Sequence, residues 1–161
     1  MMPSGEVNDA PGRVGMNGPF VRDWMTHSPI TCGLGVSLGA VRAQMEREDV
    51  QRLLVVDEHD NLLGLVSWTD VVGAWPSEFT SLEPFEVREL VARVGVDEIM
   101  TKDVVTIEPE ATIAEAVSLM FEHRVGALPV IAGRKVVGIF TNSDIRQGLV
   151  RILTERRGAA G

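Results

Sequence analysis

Tyrosine is absent from this chain, and tryptophan and phenylalanine number only three and five. Aromatics this few and scattered leave no stacking platform of the kind single-stranded nucleic acid requires. Basic residues are also in deficit, with 15 Lys and Arg against 23 Asp and Glu and a net charge of −8. Nucleic-acid binders gather Lys and Arg on one face, so this balance argues against a phosphate-backbone-binding surface; local basic positions can still hold a small anion. The single cysteine, Cys32, excludes an intramolecular disulfide framework and fits a reducing cytoplasm. No apolar run approaches the roughly 18 residues that span a bilayer. Residues 1–18 have neither a basic start nor an apolar centre, so they read as a flexible tail rather than a signal peptide, with Met16 as an alternative start inside it.

Catalytic signatures are missing as well. There is no P-loop and no G-x-G-x-x-G. His27, His59, His123 and Cys32 lack metal-ligand spacing. The histidines read as exposed polar residues and Cys32 as a buried small hydrophobe. Neither an enzyme activity, nor a metal, nor a resident cofactor is expected.

What the 161 residues do contain, at 45% hydrophobic and 24% charged, is one pattern written twice. Met25-Thr26 recurs 75 positions later as Met100-Thr101. At the same offset Thr31 meets Thr106, Met45 meets Met120, Val50 meets Val125, Leu53 meets Leu128 and Val55 meets Val130. A turn one residue shorter moves the offset to 74, where Gly64 meets Gly138, Ser67 meets Thr141, Thr69 meets Ser143 and Asp70 meets Asp144. Register kept over that length marks an internal duplication.

Each copy reads as β-α-β-β-α. The first strands are Pro29 to Cys32 and Val104 to Ile107. In the helix of the second copy, Ile113, Ala116, Val117 and Met120 share one face, and Thr112 with Glu115 has capping-box spacing. The first copy places Leu38, Val41 and Met45 on that face, with Gly39 as a weak point inside the helix. Strands follow at Arg52 to Val56 and Leu62 to Val66, then at Ala127 to Ile131 and Val136 to Phe140. A last helix begins after Ser67 or Thr141, and Ile145, Leu149, Ile152 and Leu153 hold the helical period in the second copy. The near-continuous apolar strands require cover on both sheet faces, and a copy of under 60 residues cannot bury enough alone, so the two should pack together. Residues 78–95 form a linker in which Val87, Leu90, Val91 and Val94 predict a short helix, and residues 154–161 read as a frayed tail.

The chemistry-bearing pattern is Gly64-Leu65-Val66-Ser67-Trp68-Thr69-Asp70 and its twin Gly138-Ile139-Phe140-Thr141-Asn142-Ser143-Asp144. Each runs strand, hydroxyl, Asp three residues on, helix. One reading is a capping box, with Ser67 or Thr141 at the N-cap and Asp70 or Asp144 at N3. The other is a nucleotide site, because a helix N-terminus attracts phosphate and a carboxylate beside it accepts ribose hydroxyls. The two are compatible.

Met-Thr followed by a strand, "HRVGALPV" from His123 to Val130 and "GIFTNSDI" from Gly138 to Ile145, together and duplicated, resemble the cystathionine-β-synthase (CBS) domain pair, or Bateman module. The resemblance covers Val21 to Trp75 and Val96 to Leu153, and sets domain limits of 19–77 and 96–153. It implies an α/β (α+β) fold of two repeats about a pseudo-two-fold axis. It also implies two clefts that bind adenosine-type ligands such as AMP, ADP, ATP or S-adenosylmethionine. One cleft would combine Ser67, Thr69 and Asp70 with Thr101, Thr106, Val125, Gly126 and Ala127. The other would combine Thr141, Ser143 and Asp144 with Thr26, Thr31, Val50, Gln51 and Arg52. Asp would bind the ribose diol, and Arg52, Lys102, Arg124 and Arg146 are candidate phosphate partners. Gln51 in place of Gly126 is expected to crowd the Asp144 cleft, which favours the Asp70 cleft. The family implies a disc-like homodimer formed through helix faces and a regulated partner met in trans; an interaction scaffold with vestigial clefts is the alternative.

Overall fold

The computed structural model describes residues 18–77 and 80–159. The predicted N-terminal tail lies, but for residue 18, outside them. Helix α1 (Val21–Trp24) leads into β1 (Thr26–His27) and β2 (Thr31–Cys32). Helix α2 (Leu38–Glu48), strands β3 (Arg52–Val56) and β4 (Leu62–Ser67) and helix α3 (Trp68–Ala74) complete the first copy. The linker carries α4 (Pro84–Arg93), started by Pro84 at its first turn, where a missing N–H costs nothing. The second copy is α5 (Val96–Ile99), α6 (Ile113–His123), β5 (Ala127–Ala132), β6 (Lys135–Thr141) and α7 (Asn142–Gly158).

Each copy's central helix forms for reasons legible in the chain. Ser37 Oγ accepts from Ala40 N at the start of α2, and Thr112 with Glu115 closes the expected capping box of α6. Both helices end on a left-handed residue, Asp49 and Arg124, with φ of 51° and 55°. These are repeat equivalents, and neither is the glycine that position favours.

The duplication is not two independent lobes. Strand β1 pairs antiparallel with β6 of the other copy, Thr26 against Ile139. Its equivalent, Thr101, bridges Leu65 of β4. Each Met-Thr segment therefore crosses to the partner repeat. Val21 and Met25 join the core built on Leu128, Val130 and Phe140, while Val96 and Met100 pack with the core built on Leu53, Val55 and Val66. The crossing explains the repeated glycines: a Cβ on Gly64 would lie 2.8 Å from Thr101 O, and one on Gly138 2.9 Å from Thr26 O. A third cluster, Leu54 with Ala127 and Ile139, seals the two copies together, and the β3–β4 and β5–β6 turns meet through Leu62 N–Arg134 O and Val136 N–Asp60 O bonds.

Three expectations need correction. The strand expected at Val104 to Ile107 reduces to one bridge, Ile107 to Val130. In the first copy Leu54 N donates to Ile30 O at 3.2 Å and extends the ladder to a two-residue strand, Thr31–Cys32. Pro129 holds the equivalent position and has no N–H to donate. The tail expected to fray from residue 154 continues as helix to Gly158, since no Pro or Gly interrupts Thr154 to Arg157. Finally, the outer members of the helical stripes do not face the core: Val117, Leu149 and Leu153 stand 40%, 50% and 61% exposed, and Phe121 and Val150 are exposed beside them.

Candidate functional site

The crossing of the two Met-Thr segments creates a pair of equivalent clefts, each floored by one copy's β-strand pair and walled by the other copy's leading segment. The larger, about 450 Å³, is lined by Thr26, Val50, Gln51, Arg52, Thr141 and Ser143, together with Ser28, Pro29, Ile30, Glu48, Asp49 and Ile139. Six of the eight residues expected at the Asp144 cleft thus meet there; Thr31 and Asp144 itself do not reach its surface. The smaller, about 190 Å³, takes Thr101, Val125, Gly126 and Ala127 from the expected set, with Leu65, Asp103, Val104, Val105 and Arg52. Ser67, Thr69, Asp70 and Thr106 are not on its wall. The Asp70 cleft is therefore the more restricted one, opposite to the expectation drawn from Gln51. Gln51 is exposed and leaves the larger cleft open.

The two aspartates differ in what they can still do. Asp144 is 6% exposed. Its Oδ2 accepts from Thr141 N at 2.7 Å and from Thr141 Oγ1 at 2.9 Å, and its Oδ1 accepts from Thr26 Oγ1 at 2.9 Å. The last bond ties the start of α7 to the crossing strand of the other copy. Asp70 is half-buried, and its Oδ2 accepts from Ser67 N at 2.8 Å and Ser67 Oγ at 2.7 Å. Among the described residues nothing donates to its Oδ1. Both capping boxes are thus present, and only Asp70 keeps a carboxylate oxygen without an internal donor.

Of the candidate cations, Arg52 lines both clefts. Arg146 donates from its Nη2 at 2.9 Å to Oγ of Ser143, a residue of the larger cleft's wall, but does not itself line the cleft. Arg124 and Lys102 are exposed and line neither cleft. Seventeen-residue α7 begins at the larger cleft, so its dipole favours an anion there, although Asn142 N already donates to Gly126 O. Glu48 and Asp49 on the same wall oppose a large negative charge and favour a ligand with few phosphates.

Sequence reasoning missed Ser28 and Asp103, which are repeat equivalents two residues past each Met-Thr, and the apolar pairs Pro29–Ile30 and Val104–Val105 beside them. The 75-residue offset would have found them, because it maps each of these onto its twin. Cys32 is buried as expected, and burial pushes its thiol pKa up. His27, His59 and His123 are exposed. Among the described residues no three His, Cys, Asp or Glu side chains gather into a metal site, and no helix is long and apolar enough to cross a membrane.

Comparison with known proteins agrees with this architecture. A CBS domain-containing protein of Dictyostelium discoideum is 31% identical over 135 residues, covering 83% of this chain and 93% of that one. An uncharacterized protein of Methanocaldococcus jannaschii is 32% identical over 75% of this chain, which spans only 30% of that protein. Among solved structures, a protein assigned to acetoin utilization (AcuB) in Vibrio cholerae superposes with a TM-score of 0.73 at 30% identity, over 87% of this chain and 96% of that one. The CBS domain pair of protein MJ0100, solved with 5-methylthioadenosine and S-adenosyl-L-methionine, gives 0.67 at 24% identity over 81% and 95%. CBSX2 in complex with AMP gives 0.69 at 22% over 84% and 98%, and at such identities these last two speak to the fold alone. The family pattern itself matches twice, over residues 21–77 and 96–151, in register with the two interlocked repeats: the chain is a CBS domain pair and belongs to the CBS domain family.

Proposed function

We propose that this chain is an adenine-nucleotide-binding sensor module, binding AMP, ADP, ATP or S-adenosylmethionine and acting on a partner in trans rather than catalysing a reaction. The observation that carries the reading is the 450 Å³ cleft, where Thr26, Thr141 and Ser143 hydroxyls, Arg52 and the start of α7 converge beside the apolar wall of Ile30, Val50 and Ile139. That combination suits an adenosine base against the apolar wall, with ribose and a phosphate at the polar end. Other CBS domain pairs have been crystallised with AMP and with S-adenosyl-L-methionine. Relatives that are enzymes, such as the inosine-5′-monophosphate dehydrogenase of Halobacterium salinarum, share only 21% of their length with this chain.

Within this reading the protein is a cytoplasmic homodimer whose contact is the exposed apolar face of α6 and α7, where Val117, Phe121, Leu149, Val150 and Leu153 would find cover. An interaction scaffold is the second reading. It is favoured by Asp144, whose carboxylate is already fully engaged inside the protein.

The experiment is thermal shift and calorimetry with AMP, ADP, ATP, S-adenosylmethionine and NAD, on the wild type, Asp70→Ala and Asp144→Ala. A ligand at 100 times its Kd adds about 2.7 kcal/mol of stability. A shift lost in either variant supports the sensor; no shift with any ligand, after removal of co-purified molecules, supports the scaffold.

A further inference from the structure

Read from the smaller cleft, the lining follows the repeat except at one residue. Eight of the nine residues lining the smaller cleft have their repeat counterpart on the wall of the larger one; the ninth is Arg52, which lines both. Its own counterpart is Ala127, too short to reach across in return. Arg52 sits opposite Ser67 on β3–β4, and its Nη2 lies 3.0 Å from where a Cβ on Gly126 would stand. The side chain therefore reaches over the strand start that opens the smaller cleft. Among the described residues no acceptor or ion-pair partner meets its guanidinium, although Asp103 shares the cavity. A half-buried guanidinium without an acceptor is a cation that a ligand can complete.

We propose that Arg52 is a shared anchor that makes occupancy of the two clefts interdependent, an inference that rests on the adenine-nucleotide reading above. With the larger cleft empty, the guanidinium lies beside Gly126 and shortens the smaller cleft. A phosphate at the start of α7 draws it into charge-assisted bonds on the larger side, which clears the smaller cleft for a second ligand. A neutral nucleoside offers no such acceptor and leaves the smaller cleft shut. By linkage the effect is reciprocal: a ligand in the smaller cleft raises the affinity of the larger for a phosphate by the same factor.

Calorimetry with AMP and with adenosine, on wild type and on R52A, tests this. Wild type is expected to take one adenosine but two AMP per chain, the second AMP only after the first. R52A is expected to take two adenosine per chain, and to bind its first AMP about tenfold more weakly than wild type. R52M keeps the apolar stem without the charge, and is expected to lose the AMP preference while admitting one adenosine. An unfolding midpoint measured on each variant without ligand confirms that the fold is kept. If wild type and R52A show the same stoichiometries for both probes, the coupling is overturned while the sensor reading stands. If no protein binds either probe, both fall together.

Discussion

Replacing Gly148 with Ala sets two effects of opposite sign against each other. Gly148 is buried in the second turn of α7, and in a helix interior Gly→Ala ordinarily stabilises by about 1 kcal/mol. Here the added methyl would overlap the six-membered ring of Trp24. The ring cannot retreat freely. It ends the four-residue α1, which is pinned by fully buried Val21 and by the 2.8 Å bond from Val21 N to Ala111 O. Overpacking of that kind costs about 1–3 kcal/mol, so the net result should be destabilisation of about 1 kcal/mol. Gly73 supplies the control, because it sits in α3 with no atom within 4 Å of a built Cβ. Gly73→Ala should therefore raise stability by up to about 1 kcal/mol. Thermal unfolding followed by far-ultraviolet circular dichroism measures both, and the midpoints should move about 3 °C in opposite directions. Trp24 fluorescence in Gly148→Ala should change in the folded protein, below the transition. Because Trp24 immediately precedes Met25-Thr26, the same variant should weaken binding in the larger cleft. Equal stabilisation by the two substitutions would refute the α1–α7 packing and the position of the crossing strand that depends on it.

Other expectations are as direct. Thr26→Val leaves Asp144 Oδ1 buried without a donor and should cost about 1–3 kcal/mol in denaturant unfolding, whereas Thr101→Val, whose hydroxyl bonds no aspartate, should cost less. Arg124→Gly relieves a left-handed backbone at the end of α6 and should stabilise by up to about 1 kcal/mol, read as a rise in midpoint. Hydrogen bonds from the Thr112 backbone and hydroxyl hold the Glu115 carboxyl below its ordinary range, so it binds protons less readily folded than unfolded. Its contribution is complete above the unfolded value of about 4.3 and is lost as pH falls through the lower folded value. Unfolding of Glu115→Gln across pH 2 to 6 should show a flatter acid limb than wild type. Phe121→Glu places charge on the exposed α6–α7 face and, under the proposed homodimer, should give a monomer by light scattering with little change in monomer stability.

Much of the site lay open in the linear chain because its parts are local. A hydroxyl three residues before an aspartate at a strand end dictates a helix start, and both Ser67–Asp70 and Thr141–Asp144 form that start. The duplication supplied the rest: once Met25-Thr26 is matched to Met100-Thr101, a shared core and paired clefts follow from the need to cover apolar strands on both faces. Pro129 against Leu54 was visible as a difference, and its consequence, a strand cut to one bridge, follows from the missing N–H.

Three things were settled only by tertiary contacts. Periodicity assigns a helix face but not its cover, so Val117, Leu149 and Leu153 keep the helical period yet stand exposed. Asp70 and Asp144 look identical in sequence; the Thr26 hydroxyl, brought from 118 residues away, engages Asp144 Oδ1, and Asp70 has no such bond. The size of a cleft depends on where long side chains reach. Gln51 was the residue expected to crowd one cleft, yet its neighbour Arg52 is the long side chain that lines both. Sequence determined the two-copy architecture through local capping, periodicity and repeat register. Direction of reach is a property of the folded backbone, and only the fold gave two nearly equivalent clefts different walls and volumes.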